Sequence, residues 1–161
     1  MPVMTRLLET ASDLFARLTR SLAVAMAAVM VVCLLLQIFF RYALSSPLTW
    51  TEELAVLMFA WIVMLMGSLG VREDFHVRLT LLLDRIPDSA RRWVEQATLA
   101  AILVFGVLLA IAGYHYVEGT LGVVSAAIGF PIEALHLAAP VCGVLIVLHA
   151  AARLLGGGRE P

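Results

Sequence analysis

Between Glu53 and Arg72 the chain reads LAVLMFAWIVMLMGSLGV, 18 residues without a charge, bounded on each side by an ionic residue. At helical rise this stretch covers ~27 Å, close to the roughly 30 Å of a bilayer's hydrocarbon core. It has no polar face to turn toward water, unlike the amphipathic core helices of soluble domains. A membrane-crossing α-helix is the expected result.

Three more uncharged blocks flank it, at about 22–40, 97–117 and 134–152, beside 54–71 for the stretch just quoted. Of the 161 residues, 62% are apolar, against roughly 45–50% in soluble domains. The blocks are too long and too uniformly apolar for the alternating strands of a membrane barrel. The sequence therefore predicts an all-α integral membrane protein, one membrane domain over 1–161 with four transmembrane helices. The first block follows a basic segment, as a secretory leader does, but its apolar run continues past Ala25-Met26-Ala27 through Cys33 and Leu36. It is read as a retained helix.

Every basic residue is arginine. On alternate sides of four spans, ten of the 11 fall together and Arg41 stands alone. Positive residues favour the cytoplasmic side, so both termini and the central loop are expected there, with two short loops outside. The net charge of −1 leaves no basic surface for nucleic acid. Within the central loop Leu79, Leu82, Leu83 and Ile86 recur at helical spacing, and a short amphipathic helix at about 77–86 is expected to lie in the cytoplasmic interface. Pro87 ends it, and Asp88 can start the helix that leads past Trp93 into the third span. Trp93 marks one interface, and Tyr114 with Tyr116 the other. The mostly apolar segment from Glu118 to Glu133 is too short to span. It is expected to fold against the helix ends or a partner.

The turn between the first two spans is the most informative segment. Ser46 before Pro47 signals a helix start, Thr49 and Glu52 have capping-box spacing, and Glu52 and Glu53 place negative charge near the positive end of the second helix. Trp50 suits the interface. Arg41 closes the first helix, so the turn can bring it to Glu52 or Glu53; alternatively each charge simply reaches water on its own. Gln37 lies one turn before Arg41 on the same face, either hydrogen-bonding to a neighbouring helix or joining Arg41 in a docking face.

Other residues carry less chemistry. Cys33 and Cys142 lack CxxC spacing and read as small packing residues. Gly67 with Gly70, and Gly106 with Ala110, permit close helix approach. His115 and His136 fall at the outer ends of adjacent spans, where a facing pair could ligate haem; a four-helix haem or quinone anchor is the rival reading. No enzyme motif is present, and no cofactor or metal site is expected.

The ordered set Phe40-Arg41-Tyr42, Pro47-Leu48-Thr49-Trp50-Thr51-Glu52-Glu53, Gly70-Val71-Arg72-Glu73, His76-Val77 and Leu82-Leu83-Asp84-Arg85 resembles the small membrane subunit (DctQ-type) of tripartite ATP-independent periplasmic transporters. Gly129-Phe130-Pro131 resembles that family's approach to its fourth helix. The resemblance implies a three-part importer in the bacterial inner membrane. In it a periplasmic binding protein captures an organic acid, a large membrane subunit carries it inward on a sodium gradient, and the small subunit braces the large one. It further implies a partner-facing set drawn from Gln37, Arg41, Pro47, Trp50, Glu52, Glu53, Arg72 and His76.

Overall fold

The structure, a computed structural model, describes residues 2–73 and 88–156, with the side chains of 2–8, 88–90, 92 and 155–156 excepted. The expected surface helix at 77–86, and His76 beside it, lie outside the described residues.

Among the described residues five helices follow in order: α1 (Pro2–Ala43), α2 (Thr49–Arg72), α3 (Asp88–Gly119), the single turn α4 (Glu133–His136) and α5 (Ala138–Gly156). Four segments within them are long and apolar enough to cross a membrane, at Glu9–Ala43, Thr49–Arg72, Trp93–Gly119 and Glu133–Leu154. The protein is an all-α membrane protein, as its composition predicts.

α1 is much longer than the apolar block that marks it. Its 42 residues extend ~63 Å at 1.5 Å per residue, about twice a hydrocarbon core. The charges at Arg6, Glu9, Asp13, Arg17 and Arg20 lie outside the apolar block, yet the helix runs through them. The reason is packing. Ser12, Ala16, Thr19 and Ala23 are all buried, and their four-, three- and four-residue spacing puts one small-residue seam along a single face. Small side chains let helix axes approach closely.

The α1–α2 turn forms differently from its sequence signals. Ser45 adopts φ 50° and the Ser46 N–H returns to the Phe40 carbonyl at 3.1 Å, which ends α1. Beyond Pro47, Leu48 is extended and serves as the N-cap of α2 without a side-chain bond. The capping box expected of Thr49 and Glu52 is therefore absent, because Thr49 is already the first helical residue. Glu52 still lies in the first turn, where negative charge complements the helix dipole.

The spans form an open row rather than a closed bundle. α3 packs most extensively on α5, α1 on α2, and α2 on α5, while α1 also touches α5. α5 is accordingly the most buried span, and α1 and α3 are the exposed flanks. A core of Val71, Cys142, Ile146 and Ala150, with Met64, Ile102, Leu103 and Leu109 against it, joins α2, α5 and α3. At the α3–α5 crossing a Cβ on Gly143 would lie 2.5 Å from the Ala110 nitrogen and 2.7 Å from the Gly106 carbonyl oxygen. The Gly106–Ala110 spacing thus serves the close approach expected of it. Gly67 does not: nothing lies within 4 Å of a Cβ placed there.

Candidate functional site

Polar chemistry concentrates at the two ends of the row. At the loop end, Glu53 sits one turn inside α2 and turns toward the 120–132 segment. Its carboxylate accepts the backbone N–H of Ala127 at 2.8 Å and of Ile128 at 3.0 Å. Glu133, opening α4, accepts the Gly122 N–H at 2.7 Å. Ser125 Oγ takes the N–H groups of Gly129 and Phe130, at 3.1 and 3.2 Å. Val124 and Pro131 form an antiparallel bridge, beside which Ser125 N–H reaches Phe130 O and Ile132 N–H reaches Val123 O, each at 2.9 Å. About two turns of α2 further in than Glu53, Trp61 donates its indole N–H to the Ala134 carbonyl at 2.8 Å. The segment does fold against the helix ends, through α2. A shallow recess lined by Thr49, Glu52, Glu53, Ala126 and Ala127 remains beside it.

Because Glu53 is committed to backbone donors, it does not pair with Arg41, and among the described residues Arg41 forms no ion pair. Arg41, Pro47, Trp50 and Glu52 are exposed, whereas Gln37 is half-buried. The two histidines at this end have different neighbours. His115 Nδ1 lies 3.3 Å from Glu118, while His136 Nδ1 meets Thr120 Oγ1 at 2.9 Å and its ring packs on Tyr116.

At the arginine-rich end, the extension of α1 clamps α2 and α5. Arg72 pairs with Asp13, and Arg20 with Glu73. Arg153 donates to the Val71 carbonyl at 2.8 Å. Beneath these surface pairs, His149 is fully buried, and its Nδ1 lies 2.8 Å from Ser12 Oγ. Arg72 is thus engaged within the chain itself. Ser12, Asp13, Arg20, Trp61 and Glu133 escape notice in a motif search, and His149 reads only as a histidine near the end of the last span, although the small-residue spacing at 12, 16, 19 and 23 is a readable sign of the contact.

An open row of apolar spans with polar groups at both ends defines a multi-pass membrane protein. Its kinship makes it a component of a transporter rather than an enzyme. The family model for the DctQ component of tripartite ATP-independent periplasmic (TRAP) transporters matches residues 30–159, and the chain belongs to that family. It is 33% identical over 76 residues to the C4-dicarboxylate TRAP transporter small permease protein DctQ of Vibrio cholerae, covering 47% of this chain and 33% of that one. It is 26% identical over 128 residues to the sialic acid TRAP transporter small permease protein SiaQ of the same organism, covering 80% and 74%. A third relative is the sialic acid TRAP transporter permease protein SiaT of Haemophilus influenzae, 39% identical over 72 residues, or 45% of this chain and 11% of that one. The chain thus spans about a third of the first relative's length and three-quarters of the second's.

Proposed function

We propose that this chain is the small scaffold subunit of an importer for organic acids, most readily carboxylates, driven by a sodium gradient. It works beside a large membrane subunit and a periplasmic binding protein. The observation that carries the reading is the match to SiaT. There a stretch similar to this chain makes up 11% of a longer permease protein. A separate chain with the same part to play must hold its place by contact instead of by a peptide bond.

The whole chain acts as one membrane domain in the bacterial inner membrane. Ten arginines on one side favour cytoplasmic termini and a cytoplasmic central loop. The apolar blocks at 22–40, 54–71, 97–117 and 134–152 contain no charge, so they supply little to replace a solute's hydration shell. This suits a brace better than a substrate path. An open row with exposed flanks on α1 and α3 offers broad apolar surface for a larger membrane partner. Exposed Arg41, Pro47, Trp50 and Glu52, with Gln37 below them, form the docking surface at the outer hairpin. Glu53 shapes the adjoining loop, and the solvent-facing part of the Arg72–Asp13 pair, with His76, offers a second contact at the cytoplasmic end, where the amphipathic 77–86 sequence anchors the scaffold against a moving part.

The test is affinity purification of the tagged chain from native membranes in mild detergent, with identification of what accompanies it. A large polytopic membrane protein is expected. Recovery of the chain alone, from membranes that support uptake, overturns the reading.

A further inference from the structure

The 13 residues from 120 to 132 carry no charge, and as a free hairpin they would rise about 20 Å above the helix ends. They are held down at three points instead. The segment leaves α3 at Gly119, enters α4 at Glu133, and is tied midway, at Ala127 and Ile128, to Glu53. Glu53 directly precedes the uncharged block 54–71, so the tip of the segment lies level with the edge of that span. Both ends lie at the edges of two others. All three anchors therefore fall at the ends of uncharged, apolar blocks, the places where by length and composition a hydrocarbon core would end.

Its exposed side chains are those of an apolar setting. Leu121 is 65% exposed and Val124 62%, with Val123 and Ile128 also open. The backbone matches this. Besides the donors bound by Glu53, Glu133 and Ser125, the N–H groups of Thr120, Leu121 and Val123 bond within the protein, to Val117, Glu118 and Thr120. A loop bathed in water has no need to satisfy its own donors so thoroughly, whereas one at the edge of a bilayer does.

We propose that segment 120–132 lies flat in the membrane interface and takes phospholipid as its partner, with Leu121, Val123, Val124 and Ile128 among the acyl chains just below the headgroups. Two features favour lipid over a docked protein. The exposed set is purely aliphatic, without the Trp, Tyr or Arg that concentrate binding energy at protein interfaces. It also continues, through Leu121, the exposed end of α3 at Tyr114 and Tyr116, residues of the kind that sit at headgroup level. The inference rests on the spans and not on the proposed assembly, so it stands or falls separately.

The experiment places a nitroxide at Val124→Cys or Ile128→Cys in the full chain carrying Cys33→Ala and Cys142→Ala, reconstituted in phosphatidylethanolamine–phosphatidylglycerol vesicles. Accessibility to oxygen several-fold above that to a water-soluble nickel chelate is expected, against the reverse at Ser46→Cys in the exposed turn. Chelate access at 124 and 128 equal to that at 46 overturns the proposal. Exclusion of both reagents also overturns it, because a protein surface then covers the segment. Should the cysteine-substituted chain fail to fold, Leu121→Trp in the otherwise unaltered chain serves instead, read by brominated-acyl lipids after subtraction of wild-type emission. Quenching by bromines near the headgroup is expected, and its absence overturns the proposal.

Discussion

Ser12 and His149 stand 137 positions apart in the chain, and their Oγ and Nδ1 atoms meet at 2.8 Å. The pair fastens the first helix to the last at the arginine-rich end, under the Asp13–Arg72 and Arg20–Glu73 ion pairs. Those ion pairs are largely solvated and contribute little by themselves. The buried bond is different, because His149 is fully enclosed and a lost partner there cannot be replaced by water.

Ser12→Ala should therefore destabilise the chain by about 1–3 kcal/mol, the cost of stranding a buried polar group. Ser12→Ala combined with His149→Leu should recover most of that loss, since removing both partners removes the stranded group. Reversible unfolding in mixed detergent and dodecyl sulfate measures both. A double variant that is simply the sum of two losses would show that the two side chains are not coupled.

The α3–α5 crossing sets a second expectation. Gly143→Ala drives a methyl group into the backbone of Ala110 and Gly106, at 2.5 and 2.7 Å, where no side chain can rotate away. A loss of about 1–3 kcal/mol, typical of overpacking, is expected. Gly67→Ala meets nothing within 4 Å and should be neutral, or gain up to roughly 1 kcal/mol from helix propensity. The same unfolding assay separates them, and equal behaviour would mean that α3 and α5 are not in close contact.

The spans were legible because each block lacks charge over a full bilayer's depth, and the 54–71 block has an ionic residue on either side. The extension of α1 was not, since charges at Arg6, Glu9, Asp13, Arg17 and Arg20 mask a seam of only Ser12, Ala16, Thr19 and Ala23. That seam has meaning only once α2 and α5 are placed beside it. Glu53 illustrates a different limit. Its partners are backbone N–H groups of Ala127 and Ile128, and backbone groups leave no mark in a sequence, where Arg41 and water are the visible alternatives. The Thr49–Glu52 spacing misled by a single residue, because Pro47 and extended Leu48 start the helix at Thr49.

Glu53→Ala should release the loop while leaving the spans in place. The amide protons of Ala127 and Ile128 lose both acceptors, and their exchange with deuterium should quicken by a factor on the order of ten. Glu53→Gln keeps carbonyl acceptor capacity for one of them and should fall between. Exchange measured by mass spectrometry on the reconstituted chain reads this directly, and unchanged protection in Glu53→Ala would mean that the carboxylate does not hold the loop.

The division of labour in the α1–α2 hairpin gives the last expectation. Glu53 faces the 120–132 segment and shapes the chain's own loop, whereas Arg41, Trp50 and Glu52 are exposed and form no side-chain hydrogen bond or ion pair among the described residues. Surface substitutions of this kind usually change stability by no more than roughly 0.5 kcal/mol. Trp50→Ala with Glu52→Gln should accordingly insert and unfold like the wild type, yet lower both solute uptake and recovery of the large membrane subunit in affinity purification. Arg41→Gln should add to the loss if Arg41 faces the same partner. The comparison with Glu53→Ala separates two causes of reduced uptake: a freed loop shows in amide exchange, and a lost contact shows in co-purification. Normal uptake and normal recovery with Trp50, Glu52 and Arg41 all replaced would remove the α1–α2 hairpin from the docking surface.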